Sequence, residues 1–123
     1  MPDSVEYIGK EAFFWSRLEG IRLPKNLKHL GAGVFKACNH LFSITIPPSV
    51  RFIPDCAFDE CEGLRSVELS GDTFHIGEKA FNHCYSLSQI YLGASLRSVG
   101  PCAFLECRSL KDVRLPGTLR FVG

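Results

Sequence analysis

One block of sequence returns five times at a spacing of 23 residues, and nothing else in the chain narrows its fold as far. Its lead leucines are Leu18, Leu41, Leu64, Leu87 and Leu110. The pairs Ile21/Leu23, Ile44/Ile46, Val67/Leu69, Ile90/Leu92 and Val113/Leu115 keep the same step. So do Leu30, Ile53, Ile76, Val99 and Val122, followed in turn by Gly31, Pro54, Gly77, Gly100 and Gly123. A period in the twenties is the mark of stacked supersecondary units, each burying its apolar face on its neighbours. The 123 residues therefore read as one repeat domain, 1–123. In register, Met1 falls late in one unit and Gly123 stops inside another. The expectation is a fragment of a longer array, cut mid-repeat at both ends, whose uncapped ends favour end-to-end self-association.

Each unit has a physical reading. Leu-x-x-Ile-x-Ile ends on two apolar residues with period two, which suits a short strand with one buried face. Pro24, Pro47, Gly93 and Pro116 punctuate it, with Ser70 in the same place. Next come two apolar residues three apart, as in Val50 and Ile53, either a short extended segment on an opposite wall or a tight turn. The glycine after it suits a backbone turn, and Pro54 shows that positive φ is not needed in every unit. Ala57, Phe58, Cys61 and Leu64 then follow at helix-like intervals, too few for a stable helix, so the spacing predicts a single 3₁₀-like or α turn. Parallel strands joined by crossovers are expected to coil right-handed.

Charge and hydropathy exclude several roles. The formal net charge is +1, so no overall field draws nucleic acid or an acidic membrane surface. No apolar run reaches the roughly 18 residues a membrane span needs.

The residues with chemistry in them mostly dissolve into the repeat. Cys38, Cys61, Cys84 and Cys107 share one column, with Ser16 in their place in the first loop. Neighbours one strand spacing apart, about 4.8 Å, lie within disulfide range on distance alone. The favoured reading is a ladder of buried free thiols. Cys56 and Cys102 share a second column two units apart, too far to bridge. Zinc needs four clustered ligands, and the nearest pairs, Cys38/His40 and His83/Cys84, borrow ladder cysteines. Asp55, Asp59, Glu60 and Glu62 read as a solvated acidic edge rather than a calcium site. Gly31-Ala32-Gly33-Val34-Phe35-Lys36 lacks the full phosphate-loop pattern. No nucleophile and base are set together by the repeat, so neither catalysis, metal nor cofactor is expected.

What remains is surface. Beside the first strand, Arg22, Thr45, Glu68, Tyr91 and Arg114 form a column of mixed sign, next to a small polar column of Gly20, Ser43, Ser66, Gln89 and Asp112. The second segment differs. One column reads Glu6, Lys28, Arg51, Phe74, Arg97 and Arg120, and the next Tyr7, His29, Phe52, His75, Ser98 and Phe121. Basic and aromatic side chains in parallel rows suit an acidic or planar partner; the favoured alternative is a strand edge whose stems cover apolar surface, and the stripe stands as the candidate protein contact to test first. In the first loop, one residue shorter than the others, Phe14-Trp15 stands where other units place polar pairs. Phe14 is expected to pack into the gap and Trp15 to make contact with a partner.

The unit from Asn39 to Cys61 resembles the repeat of the BspA-like (treponemal-type) leucine-rich-repeat family, roughly Leu-x-x-Ile-x-Ile-Pro-x-Ser-Val-x-x-Ile-Gly-x-x-Ala-Phe-x-x-Cys. The likeness covers essentially the whole chain, with departures at the short first loop, Ser70 and Thr73. It implies a leucine-rich-repeat solenoid of the right-handed α/β horseshoe class, β-rich with short 3₁₀ or α turns. It also implies a protein of the cell surface or secreted, used for adhesion and protein contact, and it brings no catalytic residues. The expected function is a non-catalytic module presenting a rigid surface to another protein. The alternative is a structural subunit of a larger complex, capped by neighbouring chains.

Overall fold

The alternating apolar pairs at Ile44, Val67 and Ile90 become strands because a coil of 23 residues returns each pair to its equivalent in the coil before; Ile21/Leu23, also expected as a strand, forms none, and Val113/Leu115 lies outside the described residues. The computed structural model describes residues 1–110 and the backbone of Phe121–Val122. Nine short strands run through them: β1 Tyr7–Ile8, β2 His29–Leu30, β3 Ser43–Thr45, β4 Phe52–Ile53, β5 Ser66–Glu68, β6 His75–Ile76, β7 Gln89–Tyr91, β8 Ser98–Val99 and β9 Phe121–Val122. All pairings are parallel and join equivalent residues one coil apart, Ile44↔Val67↔Ile90 on one wall and Ile53↔Ile76↔Val99 on the other. The chain is a parallel β-solenoid, and the second segment of each unit is a strand rather than a turn.

The first wall is one sheet, β3-β5-β7, while the second is split into β1-β2 and β4-β6-β8-β9. The split falls where two ladder bonds are absent among the described residues: Lys28, Phe74 and Arg97 each donate one coil back, to Glu6, Arg51 and Phe74, and Arg51 does not. The Gly31, Gly77 and Gly100 amides each donate to a carbonyl one coil back, Ile8, Ile53 and Ile76, at 2.8 Å. The equivalent of those glycines in the third coil is Pro54, which has no N–H. The ladder stops there, although β2 and β4 are neighbours.

Those glycines serve close approach, not positive φ. A Cβ on Gly77 would lie 2.5 Å from Asp55 Oδ1 and 2.6 Å from its backbone nitrogen, and Gly31 and Gly100 are as crowded by the coil before. Of the glycines with described backbone, Gly33 alone has positive φ, at 65°.

The third wall keeps the expected turn, closed by i→i−3 bonds, but as a run of turns rather than a single one. Among the described residues there is no helix; the segment is a run of turns with two left-handed residues four apart, such as Cys56 (φ 57°) and Glu60 (φ 61°). Its amides alternate. Ala57, Asp59 and Cys61 donate within their own coil, to Pro54, Cys56 and Phe58, at 3.1–3.2 Å. Cys56, Phe58 and Glu60 donate forward to Glu78, Ala80 and Asn82 of the next coil, at 2.7–2.9 Å. Every second N–H is thus committed to a neighbour, and an i→i−4 ladder cannot form.

Between the walls sits the core. Phe13, Phe35, Phe58, Phe81 and Phe104 stack in sequence with ring centroids 5.2–5.5 Å apart and planes within 13°, the offset arrangement aromatic rings favour. Leu41, Leu64 and Leu87 are buried beside them. Leu27, Val50 and Leu96 form a further buried column whose fourth member is Thr73, also fully buried, with a hydroxyl that finds no partner among the described residues.

Candidate functional surfaces

The two-residue strands of the second wall put one side chain in and one out. Ile8, Leu30, Ile53, Ile76 and Val99 are buried, while Tyr7, His29 and Phe52 are exposed and His75 is half-buried. Lys28, Arg51 and Arg97 are exposed beside them, so the sequence stripe is one continuous face. The structure divides it. At the first coils, Lys28 Nζ meets Glu6 Oε1 at 2.9 Å, and this hydrogen bond and charge hold the Glu6 carboxyl below its ordinary range. Tyr7 and His29 pair in register with rings 6.4 Å apart. Further along, Phe52 and Phe74 meet edge-to-face at 5.9 Å, and the Arg97 guanidinium lies 5.2 Å from the Phe74 ring. Arg51 forms no ion pair among the described residues. The centre of the stripe is therefore Arg51, Phe52, Phe74 and Arg97. Phe121 joins through its backbone, paired with Ser98; its side chain, like Arg120, lies outside the described residues.

One contact on this face was missed. His75 Nδ1 lies 2.6 Å from Ser98 Oγ, a nucleophile beside a base where the repeat was read as supplying none. The two occupy successive places in one column, and that adjacency was the available signal. Among the described residues no carboxylate bonds the other ring nitrogen, so the orienting third group of a catalytic triad is missing from the pair.

The turn wall carries Trp15, which the structure does not bring to the stripe. Its side chain is 74% exposed on a backbone of positive φ. The shortened loop is not where the aromatic pair sits. Phe13 and Trp15 donate to Val34 and Lys36 in full register with the next coil, and Ser16 matches Cys38. The missing residue falls after Ser16, where Leu18 N–H donates to Ser16 Oγ at 3.3 Å. Phe14 therefore has no gap to fill. It is exposed, edge-on to Trp15 at 6.0 Å, with Lys36 Nζ 5.9 Å from its ring. The expected packing role passes to Phe13, which stacks on Phe35.

On the same wall Asp59, Glu60 and His83 bring one ligand atom each within 4.8 Å of one another. Asp59 is already held by Lys36 at 3.7 Å and by the Asn82 amide at 3.1 Å. Neither zinc pair assembles, because the ladder thiols point inward. Cys38, Cys61, Cys84 and Cys107 donate to the carbonyls of Phe13, Phe35, Phe58 and Phe81 at 3.0–3.1 Å. No cysteine is in a disulfide. Burial pushes the Cys107 thiol up to about 11, and the more deeply buried Cys61 and Cys84 rise further.

The first wall offers a surface the sequence reading passed over. Two shallow depressions of about 490 and 510 Å³ lie along it, over Gly20, Ser43 and Ser66, and flanked by Arg22, Thr45, Glu68 and Tyr91. The small polar column forms their floor. That column was visible in the sequence, but its smallness signified nothing until the sheet placed larger neighbours beside it.

Known proteins resemble the chain along its whole length. The model of the BspA type leucine rich repeat region matches residues 1–123 in six copies. A crystal structure of the Treponema pallidum leucine rich repeat protein superposes with a TM-score of 0.82 at 31% identity, covering 91% of this chain and 53% of that one. A leucine-rich repeat protein of Bacteroides ovatus ATCC 8483 gives 0.84 at 28%, covering 100% and 38%. A leucine rich cell surface protein of Faecalibacterium prausnitzii A2-165 gives 0.84 at 24%, covering 99% and 30%, a likeness of fold alone. The chain spans about half or less of the length of these solved proteins. No curated protein matches it.

Proposed function

The chain belongs to the BspA type leucine-rich-repeat family, and from that premise we propose that it is a non-catalytic protein-binding module. Such repeats are commonly of the protein-interaction and cell-surface type, and the proposal places this chain at the cell surface, in adhesion or protein contact. The observation that supports it is the exposed cluster of Arg51, Phe52, Phe74 and Arg97 on a rigid strand wall. Aromatic and arginine side chains at the centre of a patch are the groups that dominate binding energy between proteins. Lys28, Arg51 and Arg97 against Glu6 leave that face net basic, so the partner surface is acidic. Tyr7, His29 and His75 form the surrounding contacts, and the strand spacing fixes their separation.

The test uses alanine variants on opposite walls against a purified protein partner. Phe52→Ala and Arg97→Ala each weaken binding by about tenfold or more, with Tyr91→Ala on the first wall within about twofold. The opposite ranking would move the contact to the depressions of the first wall and overturn this reading.

A further inference from the structure

The one-residue deletion after Ser16 leaves a mark on the outside of the molecule. A notch of about 230 Å³ opens there, lined by Trp15, Ser16, Arg17, Ala37, Asn39 and His40. Its chemistry is one-sided: an indole face, a guanidinium, an imidazole, an amide and a hydroxyl, with no carboxylate. Trp15 is the only tryptophan of the chain, and it stands almost free of the protein at its rim. Its backbone is fixed in the left-handed region (φ 62°) by the Trp15 N–H to Lys36 carbonyl bond at 2.9 Å, and Phe14 braces the ring edge-on. Ala37, Glu60, His83 and Glu106 take the same backbone conformation in the other coils, so the exposed indole is what sets this place apart, and held outward it gains nothing for the core.

We propose that this notch binds the acidic sugar residue of a glycan, a pyranose ring carrying a carboxylate. The indole face receives the C–H face of the ring. Arg17 takes the carboxylate by charge-assisted hydrogen bonds, with His40 beside it. Asn39 and Ser16 supply partners for ring hydroxyls. Size favours this ligand over a protein: a stable protein contact covers about 800 Å² per partner, whereas the notch is smaller than the ~300 Å³ at which pockets for drug-sized molecules begin. It holds one ring. A nucleotide also stacks on tryptophan, but base, ribose and phosphate together exceed this space. The inference is independent of the strand-wall contact, which lies on another face.

Because Trp15 is the only indole, its fluorescence reports this site alone. The 123-residue chain is titrated with the methyl glycoside of glucuronic acid, with methyl glucoside, with adenosine monophosphate and with a short glutamate peptide. The expected result is a saturable change with the acidic sugar, at a dissociation constant on the order of 1 mM. The neutral glycoside binds about tenfold more weakly or worse, for want of a charged hydrogen bond. Arg17→Ala, an exposed position, reproduces that loss with an unchanged melting curve, and His40→Ala gives a smaller one. Four results would overturn the proposal: no saturable signal, equal response to both glycosides, tighter binding of the nucleotide or the peptide, or full affinity in Arg17→Ala.

Discussion

At the scale of single residues, the repeat tolerates departures only where their cost is bearable. Thr73 fills a place that Leu27, Val50 and Leu96 fill with hydrocarbon, and its hydroxyl is buried without a partner among the described residues. Such a group costs about 1–3 kcal/mol. Thr73→Val keeps the shape and removes the cost, so it stabilises the chain by about 1–2 kcal/mol, as urea denaturation would measure; a destabilised variant would mean the hydroxyl is satisfied. The ladder thiols are the opposite case, polar groups that the fold provides for. Burial raises Cys107 from 9.0 to about 11 and raises Cys61 and Cys84 further, so the unfolded chain ionises first as pH rises. Stability from these thiols is complete below about pH 9 and falls above it, by about 1.4 kcal/mol per pH unit for each deeply buried thiol. Alkaline denaturation with and without Cys61→Ala checks this, the variant showing the shallower slope. The same burial keeps Cys61 and Cys84 unreactive to alkylation in the native chain while exposed Cys102 reacts.

At the scale of elements, strand positions were legible and the turns were not. Period-two alternation located Ile44, Val67 and Ile90 on a buried face, because that pattern depends only on which side of a pleat a residue occupies. The helix-like spacing of Ala57, Phe58, Cys61 and Leu64 located a turn but not the run of turns, with its left-handed residues, that forms it. It reflects inward-facing residues of a turn run whose alternate amides bond the next coil, and no local pattern reveals where an amide will find its acceptor. The recurrent turn glycine was likewise legible as a position and not as a cause, since crowding from the preceding coil exists only once coils stack. The stripe was readable as rows. Its division into an ion-paired end and an arginine–phenylalanine centre was not, because that depends on side chains meeting across columns. Pro54 carries the prediction at this scale. Pro54→Gly restores an N–H opposite the Leu30 carbonyl, and with it one of the two absent bonds between the sheets of the second wall. Hydrogen exchange then shows a protected amide at residue 54. Net stability changes by less than about 1 kcal/mol, since the added bond is offset by glycine's backbone freedom. A rapidly exchanging amide there would show that something other than the missing donor separates β2 from β4.

At the scale of the molecule, the phenylalanine stack binds coil to coil. Each ring touches only the coil before and the coil after, so stability is a sum of nearest-neighbour terms. Phe58→Ala removes two ring contacts and a large buried side chain, at about 3–5 kcal/mol. In such an array the loss falls at one interface. Denaturation of that variant is expected to lose its single cooperative transition, with the coils on either side of Phe58 exchanging amide hydrogens at different rates. Retention of a single sharp transition with uniform exchange would mean that the solenoid behaves as one globular unit.

The hydrogen bonds of the walls also decide how one coil meets the next. On the turn wall, amides of Cys56, Phe58 and Glu60 donate forward along the stack, whereas on the second strand wall Phe74, Gly77 and Gly100 donate back. Each junction between coils is therefore closed by donors from both sides. A coil that joins such a stack must offer amides on one wall and carbonyls on the other, so the junction accepts a neighbour in one orientation only.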